Sequence, residues 1–290
     1  GSGPVAAARV AVVLSDDSAP YQEVYQVISA LLDDTRHLVS RVYAESVSAS
    51  SLAEASLVVA VGVRAAESLA ARSSRTPVLA VLVPRAWYDK TGRALLTAGG
   101  QRVASAIYLD QPFDRQGQLI RLAFPEMQRV GALVDVEQEY LLAELEAALR
   151  TQQLTLVRGT LTSQERLIPP LENVLAAADI LLAVPDPLVF NRNTAQTLFL
   201  TSYRYRVPVQ GYSRSLTRAG ALLSLHSSPA QIGRQTAAWV IHALSQAPLR
   251  LPSPAYPAYF SISINEQVAR SLGFSLPSEA ELEQRLGGAR

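Results

Sequence analysis

Short apolar runs rich in β-branched residues recur along the chain, and the stretches between them carry apolar positions at helical spacing. Arg9–Ser15 (RVAVVLS), Val39–Tyr43, Leu57–Val63 (LVVAVGV), Pro77–Val83 (PVLAVLV) and Ala104–Leu109 read as five strands. Pro20 opens a helix to Leu32, with Val24, Val27, Ile28 and Leu31 on one face, and an Ala-rich helix covers Arg64–Ala71. Strands that alternate with helices predict parallel sheets. Uninterrupted apolar strands predict that both sheet faces are covered.

A second series begins near Phe113. Helices are expected over Arg115–Ala123, Glu137–Leu149, Pro170–Ala177, Ala195–Tyr203 and Pro229–Leu244. Strands are expected over Val130–Val134, Leu154–Arg158, Asp179–Val184, Val207–Gln210 and Ala219–Leu225 (AGALLSL). The tail changes character. Ala247–Pro257 holds four prolines and reads as a strap. Tyr259–Ile264 alternates as a strand, and Asn265 caps a helix to Leu272 that Gly273 ends. Glu279–Leu286 is the last helix. The handover from one series to the other falls within Ser105–Asp135, and a cleft between two such series is a natural place for a small ligand.

Composition narrows the partners. The 290 residues suffice for two α/β lobes with separate cores, and 49% apolar against 18% charged residues excludes disorder. The net charge is +1, and Lys90 is the only lysine, so no field of one sign exists to attract nucleic acid. There is no cysteine, which removes disulfides, thiol nucleophiles and Cys metal sites. No apolar run approaches the roughly 20 residues of a membrane span. Gly1-Ser2-Gly3 reads as an added tag remnant that stands in place of any removed signal peptide or lipid-anchoring cysteine.

In open α/β sheets ligands sit off the carboxyl ends of the strands, and that rule selects the candidate residues. Ser15, Asp16 and Tyr21 follow the first strand, and Trp87 and Tyr88 follow the fourth. Asp110 follows the fifth; Asp186, Phe190 and Asn193 follow the strand ending at Val184; Tyr212 and Ser213 follow that ending at Gln210. Tyr21, Trp87, Tyr88, Phe190 and Tyr212 are candidate walls for an aromatic or apolar ligand. Asp186 is the leading polar candidate, as acceptor for an amine; the competing reading is a turn or helix cap. Asp110 either contacts ligand or braces the crossover. Trp87 and Tyr88 belong either to a pocket or to an ordinary surface loop. Arg64, at the turn after the third strand, reads as a solvated arginine or an anion contact.

Enzyme signatures fail on inspection. No Gly-x-Gly-x-x-Gly follows a strand, and no Gly-Lys-Ser/Thr is present. Gly211-Tyr212-Ser213-Arg214-Ser215 lacks the second glycine of a nucleophile elbow. His37, His226 and His242 have no metal-ligand spacing and read as structural or surface residues. No catalytic residue, metal or cofactor is expected.

Four segments carry a family resemblance: Leu109–Asp135, Ala178–Thr197 (ADILLAVPDPLVFNRNTAQT), Val207–Ile241 and Ser261–Pro277 (SISINEQVARSLGFSLP). In this order they resemble the ABC-transporter substrate-binding proteins of the type I periplasmic binding fold, in the branch that includes tryptophan- and other aromatic-amino-acid-binding members. The first third departs from that pattern, with turns at Asp16-Asp17-Ser18, Val63-Arg64 and Pro84–Tyr88. The resemblance implies two Rossmann-like lobes with parallel sheets and three interlobe crossovers, near Leu109–Phe113, Leu225 and Pro254–Tyr259. The lobes are expected as residues 7–110 plus 227–254, and 111–226 plus 255–290. It further implies an exported protein, periplasmic or otherwise extracytoplasmic, that delivers a small molecule such as an amino acid from an interlobe cleft to a membrane permease. The alternative is a ligand-sensing or protein-interaction module of the same fold with a signalling partner.

Overall fold

The computed structural model describes residues 7–70, 72, 74–98, 100 and 102–287. In chain order the elements are β1 (Arg9–Leu14), α1 (Ala19–Leu32), β2 (Leu38–Tyr43), α2 (Ala49–Leu52), β3 (Leu57–Val61), α3 (Val63–Ala70), β4 (Val78–Val83), α4 (Arg85–Trp87), α5 (Arg93–Leu96) and β5 (Ala104–Tyr108). There follow α6 (Phe113–Ala123), β6 (Arg129–Asp135), α7 (Tyr140–Arg150), β7 (Thr155–Leu161), α8 (Ile168–Ala177), β8 (Ile180–Leu182), α9 (Ala195–Arg204), β9 (Val209–Gly211), α10 (Arg214–Ala219) and β10 (Leu223–His226). The chain continues through α11 (Pro229–Leu244), β11 (Ser261–Ile264), α12 (Glu266–Leu272) and α13 (Glu279–Leu286). Ala71, the expected last residue of the helix after β3, and Gly1–Gly3 lie outside the described residues.

The chain divides into two compact units. One runs to Leu109 and resumes over Ser227–Tyr259; the other takes Asp110–His226 and the chain from Phe260 onward. Ala255–Tyr259 therefore go with the first unit, where the sequence reading assigned them to the second. Main-chain bonding explains the difference: the N–H of Tyr108 donates to the Ala255 carbonyl at 2.9 Å, and the N–H of Ala255 donates to the Ala106 carbonyl at 3.0 Å.

The first unit holds a parallel five-stranded sheet in the order β2-β1-β3-β4-β5. Its strands are apolar on both faces because both are covered. Val10, Val12, Leu14, Val59 and Val61 pack with α1 and α11 through Val24, Ile28, Ile232 and Val240. Ala11, Val13, Val58 and Ala60 pack with α3 and with Tyr88 on the opposite face. α11 begins in a capping box in which the Ser228 hydroxyl accepts from the N–H of Gln231 and the Gln231 side chain accepts from the N–H of Ser228.

The second unit holds a six-stranded sheet in the order β11-β10-β9-β8-β6-β7. Five strands are parallel; β11 runs antiparallel to β10 and is the exception to the expected parallel sheets. Leu133, Leu171, Val174, Leu175, Leu181 and Leu198 form its core on one face.

Two local expectations are corrected. Ala219–Leu225 is not a single strand: Ala219 ends α10, Gly220 turns the chain at φ +147°, and β10 starts at Leu223. The apolar run hid a polar-capped helix, whose first turn is fixed by the Ser213 hydroxyl accepting from the N–H of Leu216 at 3.1 Å. The stretch after β4 is helical rather than a loop, with a π turn over Tyr88–Gly92 between α4 and α5. Gly92 permits it, since a Cβ there would come within 2.4 Å of the Trp87 ring.

Candidate functional site

At the carboxyl edge of the first sheet, Ser15 is buried and its hydroxyl is already engaged. It donates to the Val61 carbonyl at 2.8 Å and accepts from the N–H of Ala65 at 2.9 Å, tying β1, β3 and α3 together. Gly62 lies beneath it at φ +93°; a Cβ would meet Ser15 Oγ at 2.5 Å and the Tyr21 hydroxyl at 3.1 Å. Beyond this braced corner opens a pocket of about 310 Å³ lined by Ser15, Asp16, Asp17, Tyr43, Glu45 and Arg64.

The Asp16 carboxyl is held below the usual carboxylate range, chiefly by the hydroxyl of Ser18, then by its N–H (2.8 Å), with a smaller contribution from the Arg64 charge. Burial pushes the Tyr21 hydroxyl up, and the Asp16 charge adds to this. Tyr43 is held in place by Gln22 Nε2, which donates to its hydroxyl at 2.7 Å, and by the Arg41 guanidinium 5.7 Å from its ring centre. Tyr43 and Glu45 were missed from sequence. Their signal is their position at and just past the carboxyl end of the second strand, from which no candidate was drawn.

The aromatic candidates after β4 divide. Trp87 is partly buried against the core, whereas Tyr88 is a core residue whose hydroxyl has no partner among the described residues. Tyr88 packs on Tyr108 at 6.1 Å between ring centres, and Tyr108 meets Tyr256 edge-on at 5.3 Å. Arg85 lies over the Tyr256 ring and bonds its hydroxyl. This cluster places Trp87 and Tyr88 against packed side chains rather than on an ordinary surface loop.

At the carboxyl edge of the second sheet, Asp186 is buried and both of its oxygens receive main-chain hydrogen bonds. Oδ2 accepts from the N–H of Asp135 at 2.8 Å and Oδ1 from the N–H of Leu188 at 3.0 Å. Burial raises its pKa; the two N–H bonds oppose this and the neighbouring Asp135 charge reinforces it. Asp186 thus braces the ends of β6 and β8, and each oxygen keeps a second lone pair.

Phe190 and Tyr212 meet edge-to-face at 6.0 Å between ring centres. Burial drives the Tyr212 hydroxyl well above its ordinary range, followed by the charges of Asp110 and Asp186. Asp110 is buried at the start of this unit. The charges of Asp110 and Asp186 thus both act on the Tyr212 hydroxyl, whose ring forms an aromatic corner with Phe190. Ser213 serves as the cap of α10. Asn193 is exposed in a turn closed by Asn191, whose side chain accepts the N–H of Asn193 at 2.8 Å.

His226, read from sequence as structural or surface, is the last residue of β10 and is buried, with Nε2 lacking a partner among the described residues. Burial and the Arg214 charge lower its pKa to about 4. His37 accepts the N–H of Ala8 at 3.1 Å, and His242 bonds Gln246 at 3.0 Å. Among the described residues no group of three or more His, Cys, Asp or Glu is placed to hold a metal ion, and no helix is long and apolar enough to cross a membrane.

No family model matches the sequence, and no curated protein matches it. Solved structures do. A substrate-binding protein with adhesive properties from Clostridium difficile, in a ligand-free open structure, superposes with a TM-score of 0.71 at 15% identity, covering 93% of this chain and 96% of that one. An ABC domain in complex with L-Trp from Streptococcus pneumonia gives 0.64 at 16% identity, over 94% and 97% of the two chains. An ABC-transporter periplasmic solute-binding protein from Actinobacillus succinogenes with bound D-allose gives 0.50 at 12% identity, over 91% and 99%. The fold is that of the type I periplasmic binding proteins, in agreement with the resemblance read from the sequence.

Proposed function

We propose that the chain is an exported solute-binding protein of an ABC-type importer, and that carboxyl-edge loops of its second unit supply ligand contacts. The observation that carries this reading is the Asp110–Asp186–Phe190–Tyr212 cluster at the strand ends, where this kind of sheet presents ligands. Two carboxylates accept hydrogen from an ammonium or hydroxyl group, and the aromatic corner covers an apolar body. The ligand class that fits is a small amino acid with an apolar or aromatic side chain. A structural neighbour that binds L-Trp supports this class; another that binds D-allose makes a polyol the competitor. A membrane permease in an extracytoplasmic setting completes the reading.

The test is thermal unfolding with L-tryptophan, L-tyrosine, D-allose and D-ribose, followed by calorimetric titration. A ligand at a hundred times its Kd stabilises by about 2.7 kcal/mol. Binding of an aromatic amino acid is expected, weakened at least tenfold by Tyr212→Ala; no binding from the whole panel overturns the reading.

A second reading, a sensing or protein-interaction module, is favoured by one feature. Leu200 and Tyr203 are 59% and 49% exposed on α9, beside an apolar groove of about 360 Å³ formed with Phe199, Val209, Val268 and Leu272. Leu200→Asp that leaves ligand binding intact but abolishes capture of a signalling partner would establish it.

A further inference from the structure

His226 and Arg214 stand at the carboxyl ends of adjacent strands. β9 and β10 are paired with Ser224 opposite Gly211; His226 lies two residues beyond the first and Arg214 three beyond the second. Alternate strand residues share a face, so the His226 side chain points to the same side as that of Ser224. That face is covered by α10, because the Thr217 hydroxyl bonds Ser224 Oγ at 2.6 Å and Ser263 Oγ at 2.8 Å. Toward Ser261, the residue opposite His226 on β11, the serine-threonine stripe continues, and its last member is the imidazole.

Each of the two side chains lacks what it would normally have. His226 is 4% exposed and its Nε2 meets no donor or acceptor among the described residues. Buried polar atoms are nearly always paired, so an orphan at a strand's carboxyl end marks a contact completed by something other than the chain. Arg214 is exposed and makes no ion pair or hydrogen bond among the described residues. Its charge is the one that acts on the imidazole. Gly211, Tyr212 and Ser213, which lead into α10, and Ser261 across the strand pair add no cation or carboxylate to that side.

From this juxtaposition we infer that Arg214 and His226 form an anion-recognising pair that takes the carboxylate of the bound solute, with the Nε2–H of the neutral imidazole and the guanidinium each donating to it. This rests on the solute-binding reading above and deepens it. The guanidinium presents donors only, the neutral imidazole offers its Nε2–H with the acceptor nitrogen on the other side of the ring, and together they carry one positive charge. Asp110 and Asp186, in the same unit, present acceptors for an ammonium. The combination selects a zwitterion over an amine or a sugar.

The test compares L-tryptophan, tryptamine, which lacks the carboxylate, and D-allose on wild type, Arg214→Ala, His226→Gln and His226→Leu. Arg214 is exposed, so its variant is expected to melt with wild type. Arg214→Ala is expected to weaken L-tryptophan at least tenfold and leave tryptamine unchanged. His226→Gln, which keeps a donor, is expected to retain more L-tryptophan affinity than His226→Leu. In histidine-labelled protein, L-tryptophan is expected to shift the ring ¹⁵N resonance of His226 and raise its pKa by about one unit or more, as a nearby anion does. A merely structural histidine would show neither change. Binding of L-tryptophan that is indifferent to Arg214→Ala, or of D-allose alone, overturns this inference while leaving solute binding in place. Failure of every probe to bind wild type overturns both.

Discussion

Asp186 shows how little freedom a candidate residue has once the backbone has used it. Its two main-chain bonds hold the loop ends of β6 and β8, so Asp186→Ala leaves two part-buried N–H groups without acceptors. A loss of about 2 kcal/mol is expected in urea unfolding, with Asp186→Asn losing less because one acceptor remains. His226 gives a prediction in pH. Its folded pKa is about 4 against 6.5 for the free side chain, so the unfolded chain takes up the proton first. Stability from this group is therefore complete above pH 6.5 and falls as the pH drops from 6.5 to 4, by about 3 kcal/mol. His226→Gln is expected to flatten the unfolding free energy over that window. The strand-end rule selected the loops at the carboxyl edges of the two sheets. It did not find what each side chain does in them: Ser15 and Ser213 are bound to backbone groups that become neighbours only in the fold, and nothing in the order of residues reveals that pairing.

Among the elements, those with strong periodicity were legible. α11 spans the expected Pro229–Leu244, and α13 the expected Glu279–Leu286. The short ones were not. α10 is a single polar-capped stretch of six residues whose last residue opens an apolar run, and α4 with its π turn follows a proline that reads as a loop signal. α10 is started by the Ser213 cap, and the π turn leaves room for the Trp87 ring only because residue 92 has no Cβ. Two substitutions test element-level packing. Gly62→Ala must place a methyl group 2.5 Å from Ser15 Oγ at a left-handed φ, and a loss of about 3 kcal/mol is expected in chemical denaturation. Ser228→Ala removes the capping box of α11 and is expected to cost about 1 kcal/mol, read as a lowered melting temperature.

For the whole molecule, the order of segments along the chain matters as much as their number. The first unit is completed by Ser227–Tyr259, and the second by the chain from Phe260. A truncation after Tyr259 keeps all of the first unit and removes β11, α12 and α13 from the second. Hydrogen exchange on that truncation is expected to show lost protection over β6–β10 and retained protection over β1–β4. Two lobes were foreseen because the apolar runs form two series; the side on which Ala255–Tyr259 fall was not, because it is decided by main-chain bonds to β5. This interleaving also has a kinetic meaning. A chain emerging amino end first from the ribosome makes β1–β5 long before the Ser227–Tyr259 segment that completes their unit, so that half must wait for residues more than a hundred positions downstream.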